Sequence, residues 1–171
     1  MSSDNFVLLS SRASGTVARA SSVLQRNVKQ YGPMNALDME ERSSCWYSEG
    51  SDDDATQSFT ITFGRQVLPK ELQIQFQAGF SAEECNVSVR TLDAEEKWEV
   101  IEELEPSDSH ELQSFPLTGV KDKAVDAIKI EFQECTDFYG RVMVYRLGIL
   151  GTEFSDTNAD ADLDASEAKS K

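Results

Sequence analysis

Apolar and polar residues alternate through the middle of this chain. In SFTITF, Phe59, Ile61 and Phe63 fall on one side, Thr60 and Thr62 on the other. LQIQF repeats the pattern with Leu72, Ile74 and Phe76. Val87 and Val89 alternate in NVSVR, Trp98 and Val100 in WEVI, and Ile128, Ile130 and Phe132 in AIKIEF. A period of two is what a strand with one wet face requires. VMVYRLGIL is apolar on both faces for part of its length, and LQSFPL carries a Pro that puts it at an edge or a strand end. Turn residues separate the runs by about 10 to 15 positions, the mark of an antiparallel sandwich. No long helical stripe competes, although SSVLQRNVKQYG has room for a turn or two. The pattern predicts an all-β fold, an antiparallel β-sandwich or jelly roll.

The pattern also sets boundaries. Residues 1 to 18 are Ser-rich and without period, and are expected to be a floppy lead-in. After Gly151 the chain reads TEFSDTNADADLDASEAKSK, too acidic and too poor in apolar area to offset the entropy of ordering. Residues 152 to 171 are therefore expected to be a disordered acidic tail, and residues 19 to 151 a single domain.

Charge and cysteine content narrow the setting. Lys and Arg number 16 against 31 Asp and Glu, a net charge of -15. Such a surface repels a phosphate backbone and suits partners with basic patches. Three cysteines, Cys45, Cys85 and Cys135, cannot all pair and match no metal-binding spacing. They read as free thiols of a reducing compartment, nucleus or cytoplasm. MSSDNFVLLSSRASG has an acidic residue where a signal peptide wants basic ones, and no run has the length of a membrane span. The sequon at Asn86 lies in a strand-like run and reads as accidental.

Chemistry is sparse. The single histidine, His110, sits in the polar stretch EPSDSHEL without an orienting partner in view. No phosphate-cradling glycine loop appears, and acidic pairs such as Glu102 and Glu103 carry little information in so acidic a chain. The expectation is a non-enzymatic protein. Binding then falls to loops. In an antiparallel sandwich the connections at 26–57, 77–86, 102–111 and 133–141 share one end. Gln77, Phe80, Phe138, Tyr139 and Arg141 in those loops are the candidate partner-binding residues, because aromatics and Arg anchor interfaces. Each has a structural reading beside it. Phe138 either lids the core or faces out, Arg141 is expected to pair with Asp137 at the strand entry, and Tyr139 and Phe80 are the expected exposed rings. Trp46 is expected in the core.

NALDMEERSSCW, residues 35 to 46, resembles the signature of discoidin-type (factor V/VIII type C, galactose-binding-like) domains. SFTITFGRQVLPKELQIQF resembles that fold's two strands joined by a short turn, and YRLGILG its closing strand. ASSVLQRNVKQYGPMNALD, LQIQFQAGFSAEEC and TDFYGRVMVYRLGILG together are similar to the small family of nuclear-receptor-associated proteins, over nearly all of residues 20 to 151. That resemblance implies a non-enzymatic adaptor that represses receptor-driven transcription by hindering DNA binding by the receptor, and the chain is expected to be a monomer on its own. Two alternatives stay open. One is a lectin-like domain holding Ca2+ through Asn35, Asp38 and Glu41, where an Arg on the closing strand (Arg146) opposes a cation that wants many charged oxygens. The other is a structural subunit of a ciliary or ubiquitin-ligase assembly, because similar sandwiches serve in both.

Overall fold

The computed structural model describes residues 5–41, 43–50, 56–91 and 97–154. It is built around one long strand, β4 (Gln57–Phe76), whose alternate side chains are buried along most of its length. The two strands expected here, SFTITF and LQIQF, are one continuous strand bent between two layers. Gly64 takes a positive φ of 75°, and the pairing slips between Thr62 and Val67 and again between Pro69 and Glu71. Those irregularities turn the strand without ending it.

The first half of β4 lies between β2 (Val17–Ala20) and β8 (Val125–Cys135), and β8 carries on to β5 (Ala82–Arg90) and β6 (Glu99–Leu104). The second half pairs with β7 (Gln113–Pro116) and β9 (Met143–Glu153), and β9 also holds β1 (Val7–Leu8) and β3 (Trp46–Tyr47). All these pairings are antiparallel, and the architecture is a jelly-roll sandwich. Phe59, Ile61, Ile128, Ile130 and Phe132 from one layer meet Leu72, Ile74, Phe76 and Leu147 from the other in a single apolar core. Phe76 and Phe132 touch edge to face across it at 6.1 Å. SSVLQRNVKQYG forms a 3-10 turn at Leu24–Arg26 followed by one helical turn, α1 (Val28–Tyr31), and a 3-10 turn at Pro33–Leu37 completes the segment.

The lead-in is not floppy from residue 5 onward. Val7 and Leu8 pair with Gly151 and Leu150, and Leu9 is fully buried. The serines that suggested looseness make the fit. Ser10 Oγ accepts from the Ile149 amide at 3.0 Å, and Ser11 caps the 3-10 turn Arg12–Ser14. Thr16 donates to the Leu9 carbonyl at 3.1 Å. Short hydroxyl side chains satisfy backbone groups where the chain turns, so Ser-rich sequence here means capped turns. At the other end β9 runs past Gly151 to Glu153, which Arg65 grips through its Nε and Nη2. The rest of the expected tail, residues 155–171, lies outside the described residues.

A second difference concerns WEVI. Trp98 precedes β6 and rests half-buried against the cations of Arg90 and Lys129, 5.5 and 4.8 Å from its ring centroid. Val100 is exposed. Among the described residues β6 pairs with β5 alone, and of its side chains Leu104 is buried while Ile101 packs partly on the core. Trp46 does enter the core as expected. It packs on Phe59 at 5.3 Å and Phe132 at 5.7 Å, and its indole N–H donates to the Ser22 carbonyl at 2.9 Å. Trp46→Ala is expected to cost about 3–5 kcal/mol through the cavity it leaves. Urea unfolding followed by far-UV circular dichroism checks this, and a loss under about 1 kcal/mol would contradict the packing described.

Candidate functional site

One end of the sandwich collects four connections. β5 begins and β8 ends there, with Ala82 opposite Cys135, and the two loops are stitched by Ser81 and Thr136. The Ser81 amide donates to Thr136 Oγ1 and the Thr136 amide to the Ser81 carbonyl, both at 3.0 Å. Asp108, from the β6–β7 loop, accepts from the Gly79 amide at 2.8 Å and from Ser81 Oγ at 2.7 Å. These bonds, the Gly79 amide first, hold its carboxyl below the usual carboxylate range. The segment after α1 joins through Gln57, whose Oε1 accepts from Ser21 and Ser22 while its Nε2 donates to the Glu49 carbonyl.

The stretch from Asp137 to Arg141 is a tight turn organised by one carboxylate. Asp137 Oδ2 accepts from the Tyr139 amide at 3.1 Å, the Arg141 amide at 3.1 Å and Arg141 Nε at 3.0 Å. Oδ1 takes Arg141 Nη2 at 3.2 Å. Gly140 closes the turn with φ of 75°, a conformation glycine adopts without strain. The Arg141 hydrogen bond, ahead of the other contacts, holds the Asp137 carboxyl well below its ordinary value. The pair is the expected strand-entry device.

That device also presents rings. The Arg141 guanidinium lies 5.4 Å from the centroids of both Phe80 and Tyr139. Phe138 meets Tyr139 edge to face at 5.2 Å, Phe80 meets Tyr47 at 5.6 Å, and Tyr47 meets Tyr31 at 5.7 Å. Five rings and one cation thus form a continuous row across the loop end. Phe138 does not fold under as a lid. It is 92% exposed, and Tyr139 is 55% exposed, while Phe80 is only half-buried, since Arg141 and Tyr47 cover part of it. Gln77 sits at the back of the row, its amide on the Met143 carbonyl and its Oε1 taking the Tyr145 hydroxyl at 2.7 Å.

All five candidate partner-binding residues therefore lie at one end, and two further rings, Tyr31 and Tyr47, lie with them. Tyr47 had a signal in the sequence. It follows Trp46 in a strand, so if the indole points in, the phenol points out. Gly50 is a supporting position without such a signal. A Cβ there would meet the Tyr139 carbonyl at 2.9 Å.

The proposed metal ligands are engaged differently. The Asn35 amide nitrogen donates to the carbonyls of Lys29, Gln30 and Cys45 at 3.0 to 3.3 Å, so a donor occupies the spot where carbonyl oxygens converge. Asp38 Oδ1 accepts the amides of Glu40 and Glu41, and Glu41 Oε1 takes both the amide and the hydroxyl of Ser43. Among the described residues no group of three or more His, Cys, Asp or Glu side chains is placed to hold a metal ion. His110 lies in an exposed loop, with Gln75 donating to its carbonyl. Burial pushes the thiols of Cys45 and Cys135 up to about 11 and that of Cys85 up to about 12, and all three are free. Thiols so raised are protonated and poor nucleophiles at neutral pH.

Residues 18–153 match the Sad1/UNC-like C-terminal family. A nuclear receptor 2C2-associated protein of Homo sapiens is 39% identical over 137 residues, 80% of this chain and 91% of that protein. The protein of the same name from Danio rerio is 39% identical over 136 residues, with the same coverage of each. The chain belongs to the family of nuclear receptor 2C2-associated proteins. Solved structures show its fold in other settings. An F5/8 type C domain of Bacteroides fragilis superposes with a TM-score of 0.70 at 15% identity, covering 88% of this chain and 99% of that one. A family 32 carbohydrate-binding module from C. perfringens, in complex with galactose, gives 0.67 at 13% identity, covering 85% and 98%. The named relatives are associated proteins and these neighbours are a domain and a binding module; none of the four names describes a catalyst.

Two expectations come from this geometry. Asp137→Ala leaves two amides and a guanidinium without their acceptor and is expected to cost about 1–3 kcal/mol at neutral pH. The native carboxyl titrates below its unfolded value, so its stabilisation is full above about pH 4 and fades as pH falls through the lowered native value. Urea titrations of both proteins should therefore converge in strong acid, and a gap that stays constant with pH would refute the ion-pair account. Second, melting temperatures recorded with millimolar Ca2+ and with a chelator should coincide. A clear rise with Ca2+ would show a site that binds the native state.

Proposed function

We propose that this chain is a non-enzymatic protein-interaction module that holds its partner at the loop end, with a nuclear receptor as the partner its relatives' name indicates. The observation that carries this reading is the state of the polar groups around the ring row. Gln77, Asp108, Ser81, Thr136 and Asp137 all bond within the protein. What the end offers outward is aromatic surface, above all Phe138 and Tyr139, beside exposed carboxylates such as Glu134. Exposed rings on a rigid frame are typical anchors of protein interfaces. Acting as an adaptor or repressor then needs no chemistry, only occupancy of a receptor surface by a monomer of this chain in the nucleus or cytoplasm. Direct contact with nucleic acid is disfavoured by the net charge of -15.

A carbohydrate reading has one observation in its favour, since stacking on a ring face is how a sugar would meet Phe138. Sugar hydroxyls also need directed donors and acceptors, and Gln77, Ser81, Asp108, Thr136 and Asp137 engage theirs within the protein. The alternative of a subunit in a larger assembly would use the same end.

The test is capture of a purified nuclear receptor by the full chain and by the double variant Phe138→Ser, Tyr139→Ser. Both positions are exposed, so the variant should unfold within about 0.5 kcal/mol per site of the parent. Capture should fall by about tenfold or more, the scale of a lost aromatic anchor. Undiminished capture by a folded variant would remove the loop end from the interaction.

A further inference from the structure

We infer that the ring row recognises a basic peptide segment, one whose Lys or Arg side chains flank an apolar anchor. This rests on the protein-binding reading above and specifies what the partner must present.

The anchor follows from Phe138 and Tyr139. Phe138 stands almost free of the protein, yet its backbone is fixed by the turn that Asp137 organises. A ring already held in place loses little freedom when covered, so most of its buried area adds to binding.

The charge follows from what surrounds the rings. Arg141 is the cation of the row, and it already has its counter-ion. Asp137 binds it through two nitrogens, and Phe80 and Tyr139 flank its guanidinium. An anionic partner would have to compete with that pair. Around it the end is acidic. Glu83 and Glu84 are exposed at the start of β5, Glu134 at the end of β8, and Asp108 in the adjoining loop. Glu49 adds a further carboxylate on the segment beside Gly50, which packs under Tyr139. Arg26 and Lys29 lie on the chain segment that carries Tyr31, the ring at the opposite end of the row from Phe138. Asp108 and Asp137 stay ionised throughout the physiological range, because each is stabilised as the anion by donated hydrogen bonds.

Open ring faces beside carboxylates suit a Lys or Arg side chain. The cation lies over the ring while its charge faces the acids, and its methylenes add apolar contact. The overall charge of -15 extends the same preference to longer range by steering basic segments toward the chain.

The experiment is a selection of short random peptides displayed on phage, using the full chain as bait and the Phe138→Ser, Tyr139→Ser variant as counter-bait. Enriched peptides should be rich in Lys and Arg around one Leu, Pro or aromatic position. They should bind the parent about tenfold more tightly than the variant. Their affinity should fall several-fold as salt is raised, because Coulomb attraction at an exposed surface is screened. Enrichment of acidic or neutral peptides, of peptides that bind both proteins equally, or of none would overturn the inference. So would displacement of the peptides by galactose. The two claims separate cleanly. If receptor capture depends on the rings while selected peptides are acidic, the protein-binding reading stands and the basic-segment inference fails. If capture ignores the rings, the reading itself fails.

Discussion

The contact of Trp46 with Phe59 and Phe132 fixes both the core and the rim. β3 has only two residues, paired with β9 at Val144 and Met143. Once the indole is driven inward, the period of two sends Tyr47 outward to the loop end, where it meets Phe80 and Tyr31. Met143 then ties in the next loop. Its amide donates to the Phe80 carbonyl and its carbonyl accepts from Gln77, both at 3.0 Å. Ser48 and Val142 add a further pair of bonds beside it. The hydrophobic burial of one large ring thus sets the position of several outward ones.

Alternation made the sandwich legible before any coordinates. Phe59, Ile61, Phe63, Leu72, Ile74, Phe76, Ile128, Ile130 and Phe132 are all buried, because a strand lying on a core has no other place for its apolar face. Where the reading failed, the cause was that pattern reports faces and not neighbours. WEVI alternates well, yet Trp98 falls just before β6 and lies half-buried against the cations of Arg90 and Lys129. The N-terminal segment shows the opposite error. FVLLSSRASG has no period, but one buried leucine and several hydroxyl-to-backbone bonds suffice to dock it on β9. Such bonds depend on which carbonyls and amides lie nearby, and a sequence does not say.

The site was half legible for the same reason. Strand parity groups the loops at one end once the bend of β4 lets its two halves count as two strands, and it brought Gln77, Phe80, Phe138, Tyr139 and Arg141 together. Parity gives no exposure for a residue in a turn. Phe138 faces out from a turn in which Asp137 accepts the amides of Tyr139 and Arg141, local bonding that parity does not report. Tyr139 is drawn onto Arg141 instead and so is the less exposed of the two.

The loop end also shows how one fold can carry unlike surfaces. A carbohydrate-binding module and this chain share the sandwich at 13% identity, so the frame places few demands on the loops. In this chain several polar side chains of the loop end direct their hydrogen bonds inward. A site for a sugar must keep donors and acceptors pointed at solvent and rigid. Here Asp137 turns its oxygens on its own loop, Asp108 bridges to the β4–β5 loop, and the Asn35 amide fills a ring of carbonyls. Each inward bond stiffens a loop and removes a polar handle in the same step. A rigid end whose loop-bracing side chains bond inward, with rings and carboxylates left outside, gives a small hydrated ligand few directed hydrogen-bond partners. It can still bury area against a macromolecule, because the water released from rings and partner alike supplies the favourable term.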